Sequence, residues 1–145
     1  MRVMFRKLSR WLRCRKAASA VEFAFIFPLF LAVLFGIITF GAYLVVVHSV
    51  QQIAAEAARA AIAGLSDSER ATLAQSNINA NVGSYPLLSS TRLTLTSAAT
   101  DPSTSVFAVT LQYDGSDMFI FQLPSFVPAP SPTIVRSAAI QRGGY

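Results

Sequence analysis

The longest uncharged stretch of the chain most limits what the chain can fold into. It runs from Phe23 to Val47, and Thr39 and Tyr43 are its only polar side chains. About 20 helical residues cross the hydrocarbon core of a bilayer, which is about 30 Å thick, because each residue rises about 1.5 Å. The uncharged run is longer than this, so it predicts a membrane-spanning helix.

Composition excludes several other classes of protein. Apolar residues make up 53% of the 145 residues and charged residues 13%, whereas a disordered chain needs high charge and low hydrophobicity. The single Cys cannot form a disulfide within the chain, and one Cys with one His falls short of the four ligands of a structural zinc site. We therefore expect no disulfide, no metal and no cofactor.

The excess of basic residues lies entirely at the N-terminus. Residues 1–16 contain seven Lys or Arg residues and no acid, whereas residues 17–145 contain five Arg and seven acids. The remainder of the chain therefore offers no net basic surface to a nucleic acid, and we expect no nucleic-acid partner. By the positive-inside rule, the same asymmetry predicts that the N-terminus is cytoplasmic and the C-terminal part lies outside.

Glu22 is the only acid among the first 55 residues, and it lies where the basic segment meets the apolar run. An ionised carboxylate costs a few kcal/mol in hydrocarbon, so such residues are usually paired or functional. The residues alone leave two interpretations equally open. Glu22 either has a partner within the membrane, or lies in the headgroup region beside Lys16 and water.

The string KAASAVEFAFIFPLFLAVLFGIITFG, which begins at Lys16, resembles the N-terminus of TadE-like proteins, the pilin-like subunits of tight-adherence (Flp-type) pilus systems. In that family a prepilin peptidase removes a basic leader, and Glu followed by an aromatic residue leads the apolar helix. The resemblance implies cleavage between Ala17 and Ala18, with Glu22 and Phe23 as the pair of Glu and aromatic residue. Ala17 is a departure, because the family usually has Gly before the cut.

The resemblance also implies a function. A TadE-like protein is expected to be a minor pilin or pseudopilin of the bacterial inner membrane that supports pilus assembly and can enter the extracellular fibre. Its implied partners are the prepilin peptidase, the major Flp pilin, other pseudopilins and the secretion platform. The alternative is an unprocessed single-pass membrane-anchored protein whose outer domain binds another envelope protein or a cell-wall component. Retention or loss of the leader distinguishes the two.

An enzyme is the least favoured class. The chain has one His and no G-x-S-x-G, P-loop, HExxH or dinucleotide-binding motif. Its acids beyond Gly64 occur in cap and turn contexts; they are Asp67, Glu69, Asp101, Asp114 and Asp117. We therefore predict no catalytic residue and no small-molecule substrate.

The helical pattern continues past the uncharged run. Val50, Ile53, Ala57 and Ala61 recur at spacings of three or four, which predicts an amphipathic helix that packs on its own domain. Gly64 is expected to end this helix. Residues 1–17 are then a basic cytoplasmic leader, 18–64 a transmembrane helix with an extension, and 65–145 a small extracytoplasmic domain.

Beyond Gly64 the sequence predicts a short helix followed by strands. Ser66 and Glu69 have capping-box spacing, which indicates a helix through about Asn79. TRLTLTSA, SVFAVTLQYD, DMFIFQL and TIVRSAAIQR then alternate with a period of two, which predicts four strands. The Pro-rich segment 124–132 is expected to be a connection. The fold class is therefore α+β, a long N-terminal helix leading into a small domain with an antiparallel sheet of about four strands.

Overall fold

The computed structural model describes residues 15–123 and 129–141. Most of the predicted leader, residues 1–14, and part of the Pro-rich connection, residues 124–128, lie outside the described residues. The helices and strands are α1 (Arg15–Ala60), α2 (Asp67–Asn81), β1 (Leu93–Asp101), β2 (Val106–Asp114) and β3 (Thr133–Gln141). A long helix thus leads into a small antiparallel sheet, which confirms the predicted α+β class.

The chain divides into two compact units, and the boundary falls between Thr39 and Phe40. α1 is continuous through this point and contains Pro28 in its first half. The described part of the first unit, residues 15–39, is helix alone. The second unit begins with the rest of α1 and contains α2 and the sheet.

The core of the second unit forms between one face of α1 and one face of the sheet. Val50, Ile53, Ala57 and Ala61, which the helical spacing placed on one face, are all fully buried. They belong to the same apolar cluster as the alternating residues of β2, which are Phe107, Val109, Leu111 and Tyr113. The amphipathic extension therefore packs on its own domain, as the sequence predicted.

The sheet is antiparallel, with strand order β1-β2-β3. Tyr113 of β2 pairs with Leu93 of β1 on one side and with Ile134 of β3 on the other. The register shifts between Leu95 and Ser97, which indicates a bulge in β1. Each strand connects to its neighbour in chain order, so the sheet is a simple meander.

The prediction of a fourth strand in DMFIFQL is wrong. Phe119–Gln122 forms a 3-10 helix instead. Gly115 donates its N–H to the carbonyl of Pro132 at 2.9 Å, and Asp114 pairs directly with Thr133. β2 and β3 therefore pair right up to this point, and the described residues of the connection, 116–123 and 129–132, lie outside the sheet.

The start of α2 forms as predicted. Ser66 caps the helix by accepting a hydrogen bond from the N–H of Glu69 at 3.2 Å. The carboxylate of Glu69 in turn accepts from the N–H of Leu65 at 2.8 Å. Side chains therefore satisfy one backbone N–H in the first turn of α2 and one N–H just before the cap.

Gly64 lies between the two helices, after a 3-10 turn over Ala61–Ala63. Its φ is −76°, so Gly64 does not adopt the left-handed conformation that often makes glycine the residue at the end of a helix. A Cβ at this position would lie 2.7 Å from Cγ of Arg70 and 2.8 Å from its backbone nitrogen. Gly64 is thus required by the close approach of α2.

Candidate processing and assembly site

The residues of the expected cleavage site lie near the start of α1. Ala17 and Ala18 follow Arg15, the first residue of the helix, so their peptide bond lies within helical backbone. Glu22 comes four residues after Ala18, which places the two positions on the same face and about 6 Å apart along the axis. The helix therefore brings the expected new N-terminus and the acid into one short segment.

Glu22 is exposed. It forms no hydrogen bond or ion pair with any residue whose side chain the structure describes, which begins at Ser19. Its neighbours Val21 and Phe23 are apolar and are 57% and 63% exposed. A carboxylate in an apolar surface favours a cationic partner, because a low dielectric strengthens the attraction between opposite charges.

The aromatic ring of Phe23 is held by its own helix. It stacks on the ring of Phe27, one turn further on, with centroids 5.2 Å apart and an interplanar angle of 26°. Side chains four residues apart in a helix lie on the same face and contact each other. Phe23 and Phe27 together form an exposed aromatic surface directly after Glu22.

The helix beyond this pair is apolar on all sides. In the part of the chain that the structure describes, the helix over Ser19–Ala63 is the one long and apolar enough to cross a membrane, and 6% of its most apolar window is buried. The corresponding helix of a soluble protein would be mostly buried. The exposed large side chains include Phe25, Ile26, Leu29, Phe30, Val33 and Ile37. This surface fits lipid or other apolar helices.

Ala32 and Gly36 form a pair of small residues one turn apart on this surface. A Cβ added at Gly36 would meet no atom within 4 Å. The chain therefore does not need this glycine for its own packing. Small residues at this spacing permit the close approach of a second helix.

Several ionisable residues of the second unit take part in hydrogen bonds and ion pairs within that unit. Asp101 accepts hydrogen bonds from the hydroxyl and the N–H of Ser103, at 2.6 and 2.8 Å, and these bonds lower the pKa of its carboxyl group. Asp114 accepts a hydrogen bond from the N–H of Ser116, and this interaction lowers the pKa of the Asp114 carboxyl group. Arg92 forms an ion pair with Asp117. Among the described residues, no three His, Cys, Asp or Glu side chains form a group that could hold a metal ion.

Two features of the second unit were not predicted from sequence. Burial, together with the carboxylate of Glu56 beside its hydroxyl, raises the pKa of Tyr85 to about 12. In addition, Tyr43 contacts the loop between β2 and β3. Its ring packs edge-on against Phe121, with centroids 6.3 Å apart, and its hydroxyl donates to the carbonyl of Ser131 at 3.3 Å. These partners are far apart in sequence, so local patterns do not reveal them.

Residues 17–59 match the family model of TadE-like proteins. The match confirms that this segment resembles TadE-like proteins. It begins at the residue before the expected cut and ends within α1, so the sheet domain lies outside it. No curated protein and no solved structure matches the chain.

Proposed function

We propose that this chain, which is TadE-like over most of its long helix, is a minor pilin or pseudopilin required for assembly of a tight-adherence pilus. Before assembly it is anchored in the bacterial inner membrane, with its N-terminus in the cytoplasm and its sheet domain outside. The observation that carries this proposal is the family match over residues 17–59. That segment includes Ala17 and Ala18, Glu22 and Phe23, and the apolar helix.

Cleavage by a prepilin peptidase between Ala17 and Ala18 has two physical consequences. It removes seven basic residues, each worth about 1 kcal/mol of attraction to an anionic cytoplasmic leaflet. The processed helix is therefore easier to extract from the membrane. Cleavage also creates an ammonium group on Ala18, with an ordinary pKa of about 8.

The new ammonium group and Glu22 provide a means of setting the register between subunits. Pairing within one subunit is strained, because both groups lie on the same short helical segment. The exposed carboxylate of Glu22 has no partner among the side chains that the structure describes. The amine of a neighbouring subunit can reach it in an apolar bundle, where the attraction between the two charges is strong.

The direct test is the mass of the mature protein in cells with and without the prepilin peptidase. We expect loss of residues 1–17 only when the peptidase is present. Ala17→Gly, which restores the residue usual in the family, should be processed at least as fast, and Ala17→Leu should block processing. An intact Met1 in the native protein, with the peptidase present, would refute the pilin-type mechanism.

Glu22→Ala tests the role of the acid. Membrane insertion should survive, because the change makes the span more apolar, whereas pilus assembly should be lost. Glu22→Gln has nearly the same shape without the charge and should fail equally, while Glu22→Asp should retain part of the activity. Pili are counted by electron microscopy and insertion is measured by carbonate extraction. Normal pilus numbers in Glu22→Ala cells would exclude Glu22 as a register residue.

The second candidate is an unprocessed single-pass anchor whose outer domain binds another component of the envelope. The observation that favours it is Ala17, because the family usually has Gly at this position. In this case the leader is retained, and pilus assembly does not depend on the chain. The mass measurement therefore distinguishes the two functions.

A further inference from the structure

The loop between β2 and β3 carries an apolar surface that the pilin role does not explain. Phe119 and Ile120 are adjacent in its 3-10 helix, yet Ile120 is fully buried, whereas Phe119 is 59% exposed. No charged residue occurs between Asp117 and Arg136. A single exposed apolar side chain is common on protein surfaces, so Phe119 is informative only through its position in the fold.

The exposure of Phe119 is part of an ordered local structure. The N–H of Met118 bonds to the carbonyl of Gly115 at 2.8 Å, and the N–H of Phe121 bonds to the carbonyl of Met118 at 3.0 Å. Met118 also packs against the core of the domain. The turn is thus fixed at its base, and it presents Phe119 outward.

The contacts of Tyr43 fix where this loop lies along α1. The ring of Phe121 packs on Tyr43, and the carbonyl of Ser131 accepts the hydroxyl of Tyr43. Two independent contacts therefore place both Phe121 and Ser131 beside the same turn of α1. Phe40 and Leu44, on the same stretch of α1 as Tyr43, are 37% and 62% exposed, so the helix also carries exposed apolar side chains at this level.

The sequence places this turn at the outer edge of the membrane. A span of about 20 residues within the uncharged run of residues 23–47 must end between about residues 42 and 47. Tyr43 therefore lies at the end of any such span or within its last few residues. Tyrosine is enriched at this depth, because its ring favours the acyl region and its hydroxyl favours the headgroups.

We propose that the turn around Phe119 is a membrane-contacting element, which inserts the Phe119 ring into the interface of the outer leaflet. The partner is the lipid surface itself, at the boundary between headgroups and acyl chains. Asp117, two residues before Phe119, forms an ion pair with Arg92, which lowers the cost of holding this charge close to lipid. The inference rests on membrane insertion of residues 23–47, and not on cleavage or pilus assembly.

The test uses spin labels on the purified full-length chain in phosphatidylcholine–phosphatidylglycerol vesicles. Cys14→Ser removes the only native thiol, and Phe119→Cys introduces the labelling site. Ile62→Cys is a matched control, because Ile62 is 60% exposed and lies just beyond the end of α1. It is 19 residues after Tyr43, or about 28 Å at the helical rise. Leu29→Cys, at a residue 68% exposed within the span, reports whether the helix has inserted.

Collision with oxygen and with a water-soluble nickel complex measures the depth of each label. We expect the label at position 119 to lie about 5–10 Å inside the interface, and the label at position 62 to lie in water. If the label at position 29 is in the bilayer while position 119 is as open to nickel as position 62, the proposal is overturned. That result would leave the membrane span and the pilin role intact.

Discussion

The two parts of α1 on either side of Thr39 are equally helical and both rich in apolar residues, yet they present different surfaces. Before Thr39, large side chains such as Phe25, Leu29 and Ile37 are more than half exposed. After Phe40, Val46, Val50 and Ile53 are fully buried against the domain. The comparison shows that apolar content alone does not define a protein core, because the distribution of residues around the helix decides which apolar phase covers it.

The sharpest test of this difference places the same substitution in each part. Ile53 is fully buried and Ile37 is 67% exposed. Ile53→Asp should destabilise the domain by about 3–5 kcal/mol, because the carboxylate would be buried without a partner. Ile37→Asp should leave the domain folded and instead reduce membrane insertion, by about 2.5–3.5 kcal/mol near the centre of the span.

Urea unfolding of the full chain in detergent measures the first effect, and carbonate extraction from cells measures the second. Equal loss of domain stability in both variants would mean that the two parts do not differ as described.

Glycines extend the comparison to backbone packing. Gly64→Ala should destabilise the second unit by about 1–3 kcal/mol, because the new Cβ would overlap Arg70 unless α2 shifts. Gly36→Ala is the control, since nothing lies within 4 Å of its Cβ, and it should change stability by no more than about 1 kcal/mol. Urea unfolding again reports both. If Gly64→Ala left the stability to urea unchanged, that result would contradict the close approach of Arg70 to Gly64.

The cap of α2 should produce a smaller effect. Ser66→Ala removes the acceptor of the Glu69 N–H and should cost about 0.5–2 kcal/mol. Ser76→Ala, at an exposed position within the same helix, should be neutral or slightly stabilising, because alanine is the better helix former. If both substitutions have the same effect on the urea midpoint, the hydrogen bond at Ser66 does not contribute to stability.

Tyr85 predicts a pH effect confined to alkaline conditions. Its pKa in the folded protein is raised from 10.0 to about 12, so folding favours the protonated phenol. This contribution is fully present below pH 10 and is lost as the pH rises from 10 toward 12. Tyr85→Phe lacks the titrating group, so its stability should fall less over this range. Parallel pH profiles for the two proteins would show that the phenol titrates normally.

Sequence patterns predicted the parts of the fold that depend on near neighbours. The spacing of Val50, Ile53 and Ala57 identified the buried face of α1, and Ser66 with Glu69 identified the start of α2. DMFIFQL alternates like a strand, but Phe119–Gln122 within it forms a 3-10 helix, because β2 pairs with β3 as far as Asp114 and Thr133 and not with this segment. That pairing joins residues far apart in sequence, so local alternation could not predict it.

In the candidate site, too, the sequence predicted the features that depend on near neighbours and missed those that depend on distant residues. Glu22 was identified from its place at the edge of the apolar run and Phe23 from the resemblance to TadE-like proteins, and the structure adds the stacking of Phe23 on Phe27. The contacts of Tyr43 with Phe121 and Ser131 span more than 70 residues and required the folded chain. Cleavage between Ala17 and Ala18 stays a prediction, because it depends on a second protein.

The meander order of the sheet determines when the domain can finish folding during synthesis. β3 is the last strand along the chain, and it supplies Ile134 to the core and pairs with the whole of β2. Gln51 of α1 also donates a hydrogen bond to the carbonyl of Ser137 in this strand, at 3.1 Å. The apolar cluster around Ile53 therefore lacks Ile134, and β2 lacks one of its two neighbouring strands, until β3 has been synthesised. Until then the core of the domain is incomplete, so the last strand along the chain completes the fold.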